Sequence, residues 1–416
     1  MTTTTEAPLV APEPPGLGEA FRDYVTRVRG GQLGSLPAVL GLIVLVILFT
    51  VLQGSTFFSA FNLANLMSQG AMIIVIAMGL VFVLLLGEID LSAGFAAATC
   101  AAVLGVCLTQ KGWPLAPALV ACLLTGVAIG LVNGLLVARL GAPSFVVTLS
   151  MFLALQGVLL LVIGEGGTIP IDNKIILALQ NNNLSPLGGW ILYLVVMLGY
   201  GLTTGLRMRR RRANGLVTKS PSVWLFQLAS IAILYGLATF FLNQERSRHP
   251  ELTSIKGVPY IVPLILLLLV VLTFVLSRTA FGRHVYAVGG NSEAARRAGI
   301  SVPGVKLACF VICSTLAAVA GILFASRDNS VSPSTGGSTT LLYAVAAAVI
   351  GGTSLFGGVG KVSDAVIGGL VVSVISNGLR LVTQQSGIQY IVTGLVLLLA
   401  ASVDAISRRR AAASGR

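Results

Sequence analysis

The stretch LANLMSQGAMIIVIAMGLVFVLLL, residues 63–86, decides the fold because none of its side chains carries a charge. A helix needs about 17 to 25 mostly apolar residues to cross the hydrocarbon core of a bilayer. This stretch has that length, and polar residues flank it on both sides. It therefore predicts a membrane-spanning helix.

Eleven further runs of the same kind predict an all-α integral membrane protein, a polytopic bundle of about 10–12 transmembrane helices. The run at 340–357 ends in a cluster of glycines between Gly351 and Gly360, which alternatively forms a broken or re-entrant segment. The predicted spans lie at 37–53, 63–86, 92–110, 114–138, 145–163, 188–206, 221–242, 258–277, 304–325, 340–357, 363–380 and 388–405.

The composition of the whole chain agrees with this reading. Of its 416 residues, 55% are hydrophobic and only 10% are charged, and the mean hydropathy is +0.93. Soluble domains carry about 25% charged residues, and a soluble interior cannot hide so much apolar surface. Membrane lipid is therefore the expected surrounding of most helices.

The net charge of +13 is explained by topology. No basic patch interleaved with aromatic residues predicts nucleic-acid binding, and Lys and Arg collect in cytoplasmic loops of membrane proteins. With the N-terminus in the cytoplasm, twelve spans place 20 of the 27 basic residues inside and seven outside. Both termini are therefore predicted to be cytoplasmic. The arginine-rich run at 207–212 is predicted to be a topology determinant and lipid-facing anchor, with a partner site as the alternative.

The sequence divides into three parts. Residues 1–36 are predicted to be a disordered cytoplasmic tail, 37–405 the transmembrane domain and 406–416 a short basic cytoplasmic tail. The first part has no basic region followed by a short apolar stretch and a cleavage site, so no signal peptide is predicted.

Cysteine and histidine positions predict no metal site and no disulfide. His249 and His284 fall in opposite loops, and no set of catalytic residues is found. The cysteines have neither CxxC spacing nor histidine partners. They are read as small packing residues inside apolar runs, at Cys100, Cys107, Cys122, Cys309 and Cys313.

A weak internal sequence repeat is present in the chain. Asn-Gly-Leu at 133–135 is followed by FVVT at 145–148, and Asn-Gly-Leu at 377–379 is followed by YIVT at 390–393. Glycine-rich breaks precede the two patterns, at 87–94 and 351–360. Transporters often contain repeated halves with the substrate path at their interface.

The stretch GRHVYAVGGNSEAARRAGI at 282–300 is polar and carries the signals of a short helix. Asn291 or Ser292 is a suitable N-cap, Glu293 falls in the first turn and Gly299 ends the helix. We expect a short exposed helix of about two turns. It is either a plain connector or a docking element for a cytoplasmic partner.

Two carboxylates, Glu88 and Asp90, lie at the end of the second span. Charges there are costly and need polar partners or water. In one interpretation, Asp90 or Ser92 caps the third helix. In a second, both carboxylates line or gate a path beside a broken helix. In a third, they couple transport to protons.

Four asparagines lie in or beside apolar spans. An asparagine in a membrane either ties helices together by hydrogen bonds or offers a hydroxyl group of a passing neutral solute one donor and one acceptor. With the two carboxylates they make up the candidate translocation path, which is Asn62, Asn65, Glu88, Asp90, Asn133 and Asn377.

Six motifs together resemble those of ABC permeases for ribose, xylose and related monosaccharides, over about residues 57–405. The loop GGNSEAARRAGI at 289–300 looks like the family's coupling-helix loop. The extra stretch at 188–242 resembles the xylose-type subgroup, as an additional helix pair. The other motifs are FNLANL at 61–66, GEIDLSAG at 87–94, GLVNGLLVARLGAPSFVVTL at 130–149, GGTSLFGGVGK at 351–361 and SNGLRL at 376–381.

Two positions depart from the pattern of that family. The family usually has glycine where this chain has Glu88, and a second asparagine where it has Ser376. The glutamate leaves the identity of the sugar open.

The resemblance implies a permease homodimer in the bacterial cytoplasmic membrane, working by alternating access. It implies a cytoplasmic ATP-binding subunit, which uses ATP and Mg, and an extracytoplasmic sugar-binding protein. The ATPase is expected to dock on the coupling loop at 282–303, through Gly289, Gly290, Asn291, Glu293, Ala294, Ala295, Arg296, Arg297 and Gly299.

An independent check concerns the ATPase. Gly360-Lys361 is the nearest approach to a phosphate-binding G-x-x-x-x-G-K-[ST] loop, but Val362 follows it and Leu355 stands at the first glycine. The chain is therefore predicted to be a permease without nucleotide-binding or enzymatic activity and with no bound cofactor. The rival function is an ion- or proton-coupled secondary transporter of a small polar solute.

Overall fold

The structure, a computed structural model, describes residues 35–413 except 217, 219, 248 and 253, together with residues 18, 22 and 26. In the last helix, the side chains at 397, 400, 401 and 403–413 are not described. The predicted tail at 1–36 therefore falls almost entirely outside the described residues.

The predicted all-α membrane fold is confirmed. Ten helices of the described chain are long and apolar enough to cross a membrane, and two shorter apolar helices accompany them. The helices are α1 (Leu36–Gln53), α2 (Ala60–Leu84), α3 (Ala93–Gly105), α4 (Leu115–Ala138), α5 (Ser144–Ile163), α6 (Lys174–Asn181), α7 (Pro186–Ala213), α8 (Pro221–Leu242), α9 (Ile261–Arg278), α10 (Ala280–Gly290), α11 (Ser292–Arg297), α12 (Val302–Asp328), α13 (Gly337–Gly351), α14 (Val362–Val382) and α15 (Ser386–Ala413).

Regular structure besides α-helix is scarce in the described chain. A π-helical turn, Val106–Gln110, extends α3, and two short strands, β1 (Ile169–Pro170) and β2 (Ser330–Val331), pair antiparallel. The run predicted at 340–357 is the 15-residue helix α13, which begins and ends earlier than predicted. The C-terminal tail predicted at 406–416 begins within α15.

Two compact units divide the chain, and each is described by itself. The first contains Leu184–Val258, and the second contains Gly34–Asn183 with Pro259–Ile406. In the first unit α7 packs on α8, where the indole Nε1 of Trp224 donates a hydrogen bond to Oγ1 of Thr204 at 2.9 Å.

The loop after α8 is organised by the carboxylate of Glu245. It accepts hydrogen bonds from the hydroxyl of Ser254 at 2.7 Å and from the backbone N–H groups of Ser247 and Ile255, both at 2.9 Å. These bonds, the one from Ser254 foremost, lower the pKa of Glu245 to about 2. Next to it the buried guanidinium of Arg246 donates to the carbonyl of Gly257 at 2.9 Å.

The second unit is built around α2 and α12. Every residue of α2 from Gly70 to Leu84 is buried. Gly79 lies against the backbone of Cys313, and Glu88 pairs with Lys306 near the start of α12, so the two helices run antiparallel. Small residues at these contacts let the helix backbones approach closely. Close approach increases the van der Waals packing that holds helices together in lipid.

The Asn-Gly-Leu motifs of the internal repeat belong to an inverted repeat of α2–α5 and α12–α15. The predicted pairing of the glycine-rich breaks is wrong, because 87–94 precedes the short helix α3 whereas 351–360 follows the short helix α13. In each half a long buried helix is followed by a non-helical break, a short helix, a helix carrying Asn-Gly-Leu, and a further helix. The halves pack reciprocally, because α4 lies on α12 and α14 lies on α2. Since α2 and α12 are antiparallel, the two halves have opposite orientations across the membrane.

The bundle has two ends, a loop side and a strand side, which differ in their contacts. On the loop side, α10 meets the segments 85–87 and 356–360. On the strand side, β1 pairs with β2, and Thr109 just after α3 donates to the carbonyl of Pro170 at 2.6 Å.

Candidate functional site

Three glycine-containing segments meet on the loop side, and we call this contact the junction. It is formed by 85–87, 289–290 and 356–360. The N–H of Gly358 donates to the carbonyl of Leu85 at 2.9 Å. Gly289 lies so close that a Cβ there would be 1.8 Å from the same oxygen. Only glycine at 289 permits this backbone contact, so α10 touches both non-helical segments directly.

Tyr286 makes a second link at the junction. Its hydroxyl donates to the carbonyl of Gly360 at 2.7 Å. Burial, and then the nearby carboxylate of Asp364, raise the pKa of Tyr286. The phenol therefore remains a neutral donor at physiological pH, and it joins α10 to the segment that leads into α14.

The predicted coupling loop consists of α10 and α11. Asn291 caps α11, because its Oδ1 accepts from the N–H of Ala294 at 2.9 Å. At six residues α11 is shorter than the two turns expected, and it ends before Gly299, whose φ is 82°. Of the predicted docking residues after position 290, Ala295 is buried, and the others are exposed.

Charges on α11 point to solvent. Glu293 pairs with Arg297 at 3.4 Å and with Arg296 at 4.0 Å, and all three side chains are mostly exposed. Exposed pairs of this kind contribute roughly 0–1 kcal/mol to stability. The loop therefore offers a polar outer face on α11, while Gly289 and Tyr286 hold its inner face against the junction.

The first break, residues 85–92, has polar contacts with α12 and α5 and, through Ser92, with α4. The carboxylate of Glu88 pairs with the ammonium of Lys306 on α12, and both side chains are mostly buried. The N–H of Ile89 donates to the hydroxyl of Ser144 at 3.3 Å, and its carbonyl accepts from Thr148 at 3.2 Å. Both of these last contacts come from α5.

Asp90 is fully buried in the same break. Its Oδ1 accepts from the hydroxyl of Ser92 at 2.6 Å and from the N–H of Ser92 at 2.9 Å. Asn133 on α4 donates to the Ser92 hydroxyl at 2.8 Å. Within the described residues Asp90 Oδ2 and Asn133 Oδ1 have no hydrogen-bond partner. The three side chains form a closed network at the start of α3, without an exposed face.

Asn62 and Asn377 pair with each other. The amide nitrogen of Asn62 donates to Oδ1 of Asn377 at 2.9 Å, and the reverse bond measures 3.0 Å. Asn62 also donates to the carbonyl of Phe57 at 2.9 Å. Asn65 is half-buried. The structure therefore brings together Asn62 with Asn377, and Asp90 with Asn133 through Ser92, and in each place an asparagine ties helices together.

One polar segment was missed in the sequence. SPSTGGSTT, residues 332–340, crosses from the second break of the repeat, residues 329–336, into α13. Nine consecutive small or hydroxyl-bearing residues look like a surface loop when they lie between apolar runs. The structure adds the length of the following helix, whose 15 residues rise about 22 Å and do not cross a hydrocarbon core of about 30 Å.

Comparison with known proteins agrees with these features. The family model for permease components of branched-chain amino acid transport systems matches residues 62–401. The xylose transport system permease protein XylH of Escherichia coli is 37% identical over 375 residues, which are 89% of this chain and 92% of XylH.

Two further relatives are permeases for other sugars. The fructose import permease protein FrcC of Rhizobium meliloti is 30% identical over 91% of this chain and 88% of its own. The ribose import permease protein RbsC of Escherichia coli is 30% identical over 92% of this chain and 96% of its own. No solved structure matches the chain.

Proposed function

The chain belongs to the family of permease components of branched-chain amino acid transport systems, and from that premise we propose that it forms the membrane path of an ATP-driven monosaccharide importer. Its similarity to the xylose, fructose and ribose permeases extends over about nine tenths of both chains. A pentose such as xylose is the first substrate to test.

The observation that carries the proposal is the junction. An ATP-driven permease needs a surface that receives movement from a separate ATPase and passes it to the substrate path. Here α11 offers a polar exposed face, while Gly289 and Tyr286 on the adjoining α10 contact both non-helical segments. A secondary transporter has no ATPase to dock and needs no such element.

The remaining parts of the proposal concern partners and location. The loop side faces the cytoplasm, where the ATP-binding subunit docks on 282–303 and uses ATP and Mg. An extracytoplasmic binding protein delivers the sugar to the strand side of a permease homodimer. The chain resides in the bacterial cytoplasmic membrane with both termini inside, as its distribution of basic residues supports.

The test combines sugar uptake with ATPase binding. Cells carry Glu293→Ala/Arg297→Ala, and uptake of labelled xylose, ribose and fructose is measured together with co-purification of the ATPase. Because the altered side chains form an exposed pair, the substitutions leave folding nearly unchanged. Lys111→Ala, which changes an exposed basic residue just after α3, is the matched control.

Uptake and ATPase co-purification are expected to fall together in the double variant and to persist in the control. Uptake that survives in the double variant, but collapses with an uncoupler, identifies a secondary transporter. That outcome overturns the proposal.

A further inference from the structure

The polar segment 332–340 follows β2 on the strand side and runs into the membrane. A Cβ on Gly94 would lie 2.4 Å from the carbonyl oxygen of Gly337, so the N-termini of α3 and α13 meet. From Gly94 to Thr109, which contacts Pro170 on the strand side, the helical rise is roughly 20 Å. The meeting point is therefore near the middle of a membrane about 40–45 Å thick with its headgroups.

Hydroxyl groups in this segment are open to the surroundings. Ser334 and Ser338 are exposed, and Ser332, Thr339 and Thr340 are half-buried. Within the described chain the side chains of Ser338 and Thr339 make no hydrogen bond. Hydrocarbon satisfies neither exposed hydroxyls nor non-helical backbone, so such segments occur only where protein covers them or where they line a water-filled cavity.

The corresponding break of the first half is closed. Asp90 and Ser92 are fully buried there, and side chains of α4, α5 and α12 occupy their surroundings. An exposed hydroxyl surface is therefore not a general consequence of breaking a helix in this fold. It belongs to the second break alone among the described residues.

We infer that the segment 332–340 lines the water-filled sugar path and that Ser334 and Ser338 contact the permeating monosaccharide, an inference that rests on the proposed function. Each hydroxyl donates one hydrogen bond and accepts up to two, which matches a neutral polyhydroxylated solute. The segment carries no charge and no aromatic ring. Its contacts are weak, as passage requires.

Cysteine labelling of the assembled transporter tests the water-filled path. The five native cysteines are free and buried, so background labelling is low. Ser338→Cys is compared with Leu153→Cys, a matched position that is 61% exposed on the apolar helix α5. A charged, membrane-impermeant thiol reagent is expected to label Ser338→Cys at least tenfold faster. D-xylose supplied on the binding protein with ATP is expected to slow that labelling several-fold.

Three labelling results overturn the inference. Equal, slow labelling of both cysteines shows that water does not reach the segment. Labelling that D-xylose, D-ribose and D-fructose all leave unchanged shows a wet surface without sugar contact. A spontaneous disulfide between two Ser338→Cys chains shows that the segment is covered by a second copy.

Transport kinetics supply the second readout. At saturating xylose and binding protein, Ser338→Ala is expected to lower the uptake rate about fivefold, the factor that one lost hydrogen bond corresponds to. Ser150→Ala, at an exposed serine whose hydroxyl bonds within α5, is the control and is expected to change nothing. An unchanged uptake rate in Ser338→Ala overturns the contact with sugar.

The two proposals fail in different ways. If ATP drives uptake but Ser338→Cys is unreactive, the proposed function stands and the path inference is wrong. If Ser338→Cys is reactive and protected by sugar but uptake does not need the ATPase, the path stands and the ATP-driven importer is wrong.

Discussion

Replacing Gly289 with alanine places a methyl carbon 1.8 Å from the carbonyl oxygen of Leu85 and 2.9 Å from the backbone nitrogen of Gly358. Cβ atoms essentially never come within 3.0 Å of such atoms, so α10 must move by at least about 1.2 Å, the difference between 3.0 and 1.8 Å. The obstacle is backbone, which cannot rotate away as a side chain can. Overpacking of this kind costs roughly 1–3 kcal/mol or more.

The displacement of α10 is expected to leave binding of the ATPase intact and to reduce sugar uptake. The outer face of α11 remains intact, so the ATPase still co-purifies with Gly289→Ala. The contact that passes movement to 85–87 and 356–360 is broken. We expect at least a tenfold loss of ATP-dependent xylose uptake in vesicles that contain the complete transporter, at unchanged membrane expression.

Gly157→Ala, on α5 and outside the junction, is the control, since no atom lies within 4 Å of a Cβ at that position. It is expected to transport like the parent protein. Equal uptake in the two variants refutes the role of the junction. Loss of ATPase co-purification in Gly289→Ala alone shows that α10 positions the docking surface instead of passing movement on.

Three further predictions follow from contacts in the two units. Thermal unfolding of Asn62→Ala, Asn377→Ala and the double variant forms a double-mutant cycle for the asparagine pair. The expected coupling free energy between the two side chains is roughly 0.6–1.7 kcal/mol. Losses of stability that simply add in the double variant contradict the pairing. Lys306→Glu is expected to reduce uptake and Glu88→Lys in the same chain to restore part of it, whereas no restoration shows that the ion pair is not needed. The pKa of Glu245 is lowered from 4.5 to about 2, so its contribution to the order of the loop is complete above pH 4.5 and is lost as the pH falls towards 2. Limited proteolysis of that loop should therefore become faster as the pH falls over this range. The loop of Glu245→Gln should be cleaved readily even at neutral pH.

The membrane spans were predictable because the bilayer sets their length. The run 221–242 coincides with α8, and the run 145–163 differs from α5 by one residue. The cap of α11 at Asn291 was predictable for a similar reason, since capping depends on neighbours within three residues. In all these cases the deciding physics is local or is imposed by the solvent.

Contacts between distant residues were not predictable from one sequence. Asn62 and Asn377 are separated by 315 positions, and nothing local indicates that each satisfies the other. The same holds for Glu88 and Lys306, which are 218 positions apart. The hydroxyl-rich segment 332–340 was overlooked because composition shows that a stretch is polar, whereas only the contact of Gly337 with Gly94 shows that it runs into the membrane.

The two breaks of the repeat differ in how firmly they are held, and this difference connects the junction with the hydroxyl segment. The first break is fixed by polar contacts to α4, α5 and α12. The second lies at one end of a hairpin, because α13 packs along α14, with Gly368 against Ala347 and Gly351 against Asp364. The opposite end of that hairpin is the loop that Gly289 and Tyr286 contact. A displacement of α10 therefore reaches a hairpin that carries the exposed hydroxyls at its other end. It also reaches the first break at Leu85, where the polar contacts of residues 88–92 oppose movement.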